Sequence, residues 1–173
     1  TTIDSRLQAA ALKAVQVGLL DYDRRHGYRG AEAQLEGVDL VGAERAKSWQ
    51  DQLQQISAVG GLLPAAVLDV GERELLVMIA SGERIVLPWS DLKKWRRYID
   101  ESRRAAVPKA AAELFAVGDL LRLLPVADKG YRLAQLPSIQ SGLVSVDSMS
   151  GAVKALVGGY SYRLSKFNRV LQS

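Results

Sequence analysis

The feature that most constrains the fold is a run of three strand-like segments between residues 62 and 88. Apolar residues dominate this run in three stretches, which are separated by Gly71 and by Ser81-Gly82. Glycine and serine interrupt strands and favour turns, so the pattern predicts three consecutive strands joined by hairpins. The predicted strands are Pro64 to Val70, Glu74 to Ala80 and Glu83 to Leu87.

A helix is predicted directly after the third strand. Ser90 is a suitable N-cap for it. Leu92, Trp95 and Ile99 recur at helical spacing, so these three side chains should face inward. The helix should end before Pro108, because a proline restricts the residue that precedes it to extended conformations.

Two more strand-like segments complete the central region. They are Leu120 to Leu124 and Tyr131 to Leu136, and the turn between them contains Asp128-Lys129-Gly130. Three strands, one helix and two strands is the element order of the oligonucleotide/oligosaccharide-binding (OB) barrel. The sequence therefore predicts a mainly β fold with some α structure, in which residues 60–137 form a five-stranded OB-like barrel.

The two ends of the chain do not belong to such a barrel. Asp4 is a good N-cap for a first helix that runs to about Arg25. Gly142 to Asp147 and Ala152 to Val157 form a predicted hairpin with apolar residues on both faces, as expected for strands that are covered on both sides. The simplest account is that the first helix and the last hairpin are two parts of one larger domain, into which the barrel is inserted.

A second helix precedes the barrel and ends at Gly60-Gly61. Its apolar face is formed by residues three or four positions apart, namely Ala46, Trp49, Leu53 and Ile56. We expect this face, like Trp95, to pack in a core. The predicted organisation is therefore a first helix in residues 1–30, a connecting loop and helix in 31–59, the barrel in 60–137, and the hairpin with the segment after it in 138–173.

Composition excludes several kinds of site. The chain has no cysteine, which rules out disulfides and thiolate metal sites, and its only histidine is His26. We therefore expect neither a metal nor a cofactor. No run of eighteen apolar residues occurs, so no membrane span is predicted within this sequence. The net charge of +4, from 23 basic and 19 acidic residues, does not by itself indicate nucleic acid.

Ser90 and Lys93 form a serine-x-x-lysine motif, the nucleophile signature of penicillin-recognising acyl enzymes. Such enzymes also need an SDN-like motif and a KTG strand, and neither SDN nor KTG occurs in this sequence. Without these partners the motif favours a structural interpretation, in which the serine caps a helix and the lysine is solvated. No catalytic residue is predicted.

The strongest charge feature is a cluster of cations around the predicted barrel helix. This helix face is either a solvated surface or an electrostatic docking surface for a partner. Trp89, at the corner between strand and helix, is either packed or partly exposed, and in the second case it is a plausible binding anchor. The candidate docking residues are Trp89, Lys93, Lys94, Arg96, Arg97, Arg103 and Arg104.

The main alternative is an OB-fold module that binds nucleic acid. Such barrels stack bases on aromatic side chains that project from strands two and three. Here those strands, ELLVMIA and GERIVL, contain no aromatic residue. This argues strongly against nucleic acid as a partner.

The two ends and the middle of the chain resemble class A penicillin-binding proteins. TTIDSRLQAAALKAV resembles the start of their transpeptidase domain, and LVSVDSMSGAVKALVGGYSYRLSKFNR resembles its first sheet hairpin and the segment that leads to the active site. Between them, the segments YDRRHGYRG, LLPAAVLDV, LPWSDLKKW, VGDLLRLLP and YRLAQLP resemble the inserted barrel of the one-a subtype in gram-negative bacteria. One departure follows Asn168-Arg169, where the family usually continues alanine-threonine-glutamine and this chain has Val170-Leu171-Gln172.

This resemblance implies a fragment of a bifunctional cell-wall synthase that acts on peptidoglycan. The parent would combine a glycosyltransferase with a penicillin-sensitive DD-transpeptidase, on the periplasmic side of the inner membrane and held there by a single-pass anchor. The family's acyl-accepting serine lies beyond the segment that ends this chain, so the fragment itself is expected to be inert. The resemblance further implies that the barrel is a docking platform for an outer-membrane lipoprotein activator.

Overall fold

The computed structural model describes residues 2–127, 130–164 and 170. They divide into two compact units: the barrel unit, Arg24–Leu136, and the two-segment unit, Thr1–Asp23 with Pro137–Ser173. The predicted turn residues Asp128-Lys129 and most of the unusual C-terminal sequence lie outside the described residues.

The described helices and strands follow the predicted order through most of the chain. The helices are α1 (Ser5–His26), α2 (Gly42–Gln55) and α3 (Trp89–Leu92), and one 3-10 turn spans Ala111–Glu113. The strands are β1 (Leu63–Val70), β2 (Glu74–Ile79), β3 (Arg84–Pro88), β4 (Tyr98–Asp100), β5 (Arg103–Arg104), β6 (Leu120–Val126), β7 (Gly130–Ala134), β8 (Leu143–Val146) and β9 (Val153–Val157). None of the helices in the described ranges has the length and apolar content needed to cross a membrane.

Five strands of the barrel unit form one antiparallel sheet in the order β3-β2-β1-β6-β7. The sheet curls until its two edge strands approach each other, with Cα atoms of β3 and β7 within 8 Å. Across this gap the Tyr131 hydroxyl donates a hydrogen bond to the Glu83 carboxylate at 3.1 Å. The predicted five-stranded OB-like barrel is therefore confirmed as a nearly closed sheet.

The three central strands are buried on both faces. Along β1, Ala65 and Val67 point into the barrel core, whereas Ala66 belongs to a second cluster on the outer face. Alternate residues of a strand project to opposite faces, so a strand covered on both sides is apolar throughout. The inner core includes Val77, Leu123 and their neighbours on the other strands.

Helix α2 covers the outer face of the sheet. Trp49 and Leu53, which are fully buried, pack with Ala66 and Met78 in the outer cluster. The indole nitrogen of Trp49 donates to the carbonyl oxygen of Glu36 at 2.8 Å. The apolar face predicted for this helix is therefore confirmed, and its partner is the barrel itself.

In the two-segment unit, α1 runs beside the hairpin of β8 and β9. The Asp4 carboxylate accepts hydrogen bonds from the amides of Leu7 and Arg6, which lower its pKa and confirm it as the N-cap of α1. The Gln8 side chain donates to the carbonyl oxygen of Leu156 and accepts from its amide, both at 2.9 Å. The first helix and the last hairpin therefore belong to one compact unit.

The predicted helix between Ser90 and Pro108 is wrong in its extent. The α-helix ends at Leu92, and the chain then forms the small β4–β5 hairpin. Backbone hydrogen bonds from Tyr28 to Arg96 and from Tyr98 to Tyr28 hold this region extended. Long-range pairing overrides the helical spacing, and Ile99, predicted to face inward, is 52% exposed.

Tyr28 is buried among aromatic rings in the barrel core. Its ring contacts Trp95 edge to face at a centroid distance of 6.1 Å and Phe115 at 5.1 Å. The Tyr28 hydroxyl has no hydrogen-bond partner among the described residues, and burial raises its pKa far above the usual range. A buried hydroxyl without a partner costs stability, because it has lost its bonds to water.

Tyr28→Phe is therefore expected to leave the free energy of unfolding unchanged or to raise it by about 1 kcal/mol. Tyr131→Phe is the control, since it removes a hydroxyl that does have a partner, and it should lower the free energy of unfolding by up to about 1 kcal/mol. Urea denaturation of both variants measures the difference. A clear loss in Tyr28→Phe would contradict the absence of a bonded partner.

Candidate docking surface

The cationic residues lie on one continuous segment that leaves β3, passes through α3 and enters the β4–β5 hairpin. We call residues 93–104 the basic segment. The Arg96 Nε donates to the carbonyl oxygen of Ala105 at 2.6 Å, and the Ala105 amide donates to the carbonyl oxygen of Arg97 at 2.8 Å. An Arg97 guanidinium nitrogen also donates to the carbonyl oxygen of Glu113 at 3.0 Å. The segment is therefore held to its neighbours although it has little regular structure.

Most of the predicted docking cations are exposed on this segment. Between Trp89 and Lys109 the sequence contains seven cations and three carboxylates. Lys94 pairs with Asp91 at 2.8 Å, and Arg103 pairs with Asp100 at 2.6 Å. Exposed pairs of this kind contribute little to stability, and the excess positive charge stays at the surface. The exposed cations are Lys93, Lys94, Arg97, Arg103 and Arg104, while Arg96 is half-buried.

The two tryptophans of this region differ in burial. Trp95 is buried in the barrel core, as predicted. Trp89 is half-buried and packs against the same core. Trp89 is thus packed against the core and also partly exposed, and its role as a binding anchor stays a prediction.

Two exposed aliphatic side chains accompany the cations. Ile99 on β4 is 52% exposed, and Val107, shortly after β5, is 57% exposed. The helical spacing of Leu92, Trp95 and Ile99 predicted a buried position for Ile99, so sequence reasoning missed this apolar component. The exposure of Ile99 becomes visible only from its position in the short β4–β5 hairpin. The segment therefore presents exposed cations and exposed aliphatic groups, and its part in docking stays a prediction.

Ser90, the serine of the serine-x-x-lysine motif, lies in a helix of only four residues. It is exposed within α3, and Pro88 occupies the N-cap position without a side-chain cap, so the predicted capping role of Ser90 is wrong. The nearby Asp91 is paired with Lys94. Within the described ranges no cluster of histidine and carboxylate side chains is arranged to hold a metal ion.

Strands β2 and β3 offer no aromatic platform for stacked bases. Strands β2 and β3, which are described in full, contain no aromatic residue. Their exposed positions are occupied by Glu74, Arg84, Val86 and Pro88. The feature on which OB-type nucleic-acid binding depends is missing from these strands.

Comparisons with known proteins agree with this architecture. The family model described as penicillin-binding protein OB-like domain matches residues 28–139. Penicillin-binding protein 1A of Vibrio cholerae is 38% identical over 177 residues and that of Pseudomonas aeruginosa is 36% identical over 173 residues, each alignment covering 100% of this chain. The chain spans about a fifth of these relatives, 21% and 20% of their lengths.

A solved structure extends the similarity to three dimensions. The crystal structure of penicillin-binding protein 1A from Haemophilus influenzae superposes with a TM-score of 0.77 at 34% sequence identity, covering 100% of this chain and 23% of that one. The fold thus defines a small OB-like barrel inserted between the two parts of a second unit. The chain belongs to the penicillin-binding protein family that contains this OB-like domain. The family resemblance of the sequence is thereby confirmed.

Proposed function

We propose that this chain is a non-catalytic docking region of a bifunctional peptidoglycan synthase. The parent combines glycosyltransferase and penicillin-sensitive DD-transpeptidase activities, and it faces the periplasm from an anchor in the inner membrane. Similarity to proteins named penicillin-binding protein 1A over the whole chain supports this proposal. The exposed setting of Ser90 and the absence of SDN and KTG motifs support a non-catalytic role.

The partner in this proposal is an outer-membrane lipoprotein that activates the synthase. The observation that carries this step is the exposed basic segment, which contains both exposed cations and the exposed aliphatic side chain of Ile99. Complementary charge accelerates encounter and fixes orientation, while buried aliphatic groups supply affinity. The matching face of the lipoprotein is therefore acidic with an apolar centre.

Charge reversal tests the docking surface. The variant K93E/R104E is expected to weaken binding to the cognate lipoprotein about tenfold or more, mainly through a slower association rate. The control R84E/R132E makes the same change of net charge at exposed positions on β3 and β7. It should leave the affinity nearly unchanged. Surface plasmon resonance against a panel of purified outer-membrane lipoproteins, at two salt concentrations, measures the affinity and the association rate of both variants.

The alternatives give different results in the same experiment. Equal weakening in both double variants would show that only net charge matters. No binding to any lipoprotein at high concentration would favour a spacer role. Salt-dependent binding of a single-stranded oligonucleotide, measured in parallel, would favour the nucleic-acid alternative.

A further inference from the structure

The chain enters and leaves the barrel unit through two segments that are hydrogen-bonded to each other. We call residues 27–29 and 135–136 the neck. The buried side chain of Gln135 donates to the carbonyl oxygen of Gly27 at 2.7 Å and accepts from the amide of Arg29 at 3.1 Å. The Arg29 guanidinium donates to the carbonyl oxygen of Leu136 at 2.6 Å. Gln135 thus holds the entering and leaving segments together.

In the two-segment unit, other hydrogen bonds join the chain shortly before the entering segment to the chain shortly after the leaving segment. Asp23, near the end of α1, is 1% exposed. Its carboxylate accepts hydrogen bonds from the Ser138 amide at 3.2 Å and from the Ser138 hydroxyl at 3.3 Å. Each unit therefore fixes the distance between the entering and leaving chain by its own hydrogen bonds.

The entering segment of the neck is also bonded directly to the basic segment. The Tyr28 amide donates to the carbonyl oxygen of Arg96 at 2.7 Å, and the Tyr98 amide donates to the carbonyl oxygen of Tyr28 at 2.9 Å. Gly27 permits this approach, because a Cβ atom there would lie 2.7 Å from the Arg96 carbonyl oxygen and its φ is +111°. Tyr28 therefore has the basic segment on one side, while its neighbours in the neck contact Gln135.

We propose that the neck couples the docking surface to the segments by which the chain enters and leaves the barrel unit, with Gln135 as its positioning residue. This inference rests on the proposed function, because it assumes that a partner binds the basic segment. A partner that prefers one arrangement of residues 96–98 acts on Tyr28 through two backbone hydrogen bonds. Gln135 is bonded to the entering segment and belongs to the leaving segment, so a change in residues 27–29 also changes residues 135–136. Coupling of this kind is reciprocal, and it is measurable without any partner.

Native-state hydrogen exchange of the 173-residue chain tests the coupling. Gln135→Met removes both side-chain hydrogen bonds at similar volume. Loss of protection at the Arg29 amide is expected in any case, because that amide donates to Gln135. The proposal further predicts that the Tyr98 and Ala105 amides, on the basic segment side, exchange about tenfold faster or more. The Val77 amide in β2 serves as the reference for global stability.

Gln54→Met is the matched control. Gln54 is exposed on α2 and donates only a long hydrogen bond of 3.4 Å to the carbonyl oxygen of Ala80. Gln54→Met should leave the exchange rates of the neck amides unchanged. Faster exchange of Arg29 alone in Gln135→Met would overturn the proposal, since the effect would then be local. A uniform rise that includes Val77 would also overturn it, because Gln135 would then contribute only to global stability.

The reverse perturbation provides a second test. Arg96→Met removes the hydrogen bond from Arg96 to the Ala105 carbonyl oxygen and leaves Gln135 in place. Reciprocity predicts faster exchange at the Arg29 amide, and unchanged exchange there would contradict the coupling. No partner is present in these experiments, so their failure is distinguishable from failure of the docking proposal, which the charge-reversal binding measurement decides.

Discussion

Replacing Arg122 by alanine is expected to lower the free energy of unfolding by about 3 kcal/mol, near the lower end of the range for breaking a buried ion pair. Arg122 lies on the outer face of β6 and is 5% exposed. Its Nε and one Nη donate to the two carboxylate oxygens of Glu32 at 2.7 and 2.9 Å. Its other Nη donates to the carbonyl oxygen of Ser57 at 2.9 Å. Alanine leaves both acceptors without these donors, and the partial exposure of Glu32 limits the loss.

Arg103→Ala is the control for this prediction. Its pair with Asp100 is as short, at 2.6 Å, but the Arg103 side chain is 75% exposed. Its removal should change the free energy of unfolding by less than about 1 kcal/mol, since water screens exposed pairs. Urea denaturation compares the two variants directly. Similar losses would mean that burial of the Arg122–Glu32 pair does not increase its contribution to the free energy of unfolding.

Trp49→Ala is expected to cost about 3–5 kcal/mol of unfolding free energy, the range for removing a large aromatic side chain from a core. Trp49 is fully buried between α2 and the outer face of the sheet. The substitution opens a cavity and leaves the Glu36 carbonyl oxygen without the indole donor. The guanidinium carbon of Arg45, 5.2 Å from the ring centroid, also loses its cation–π contact.

Two further substitutions separate the contributions at this position. Trp49→Phe keeps much of the apolar contact and loses the indole hydrogen bond, so its loss should be clearly smaller than that of Trp49→Ala. Trp89→Ala, at a half-buried position in the same barrel, should also cost less. If Trp49→Ala instead unfolded α2 alone and left the main transition unchanged, the helix would not be part of the cooperative unit.

The strands of the barrel could be predicted because their pattern is local. Apolar stretches of five to eight residues between glycine-containing turns identify β1, β2 and β3 from the sequence alone. The second helix was equally recognisable, because Trp49 and Leu53 occur at helical spacing. In each of these elements the local preference and the final environment agree.

The basic segment was mispredicted because its conformation depends on a distant partner. Leu92, Trp95 and Ile99 have the spacing of an apolar helix face, and two of the three are indeed buried. The backbone of Arg96 to Tyr98 pairs with Tyr28, almost seventy positions earlier in the chain, and nothing in the local sequence indicates that pairing. The cations can be read from the sequence, and their part in docking stays a prediction, but the exposure of Ile99 was not foreseen.

The buried polar residues were equally inaccessible to sequence reasoning. Arg122 and Gln135 occur in or beside apolar strands, where a polar residue ordinarily marks the solvent face. Their burial depends on partners at Glu32 and Gly27, which are brought near only by the folded topology. Asp23 is a third case, since its acceptor role depends on Ser138.

The hydrogen bonds between Gln8 and Leu156 have a consequence for the order of folding. They join residues 148 positions apart, and closing so long a loop costs conformational entropy. A folded barrel already holds Gly27 and Gln135 together, and these residues are 108 positions apart. Most of the long loop is then already closed when α1 meets the last hairpin. The inserted domain thus lowers the entropic barrier to assembling its host, which we expect to fold second.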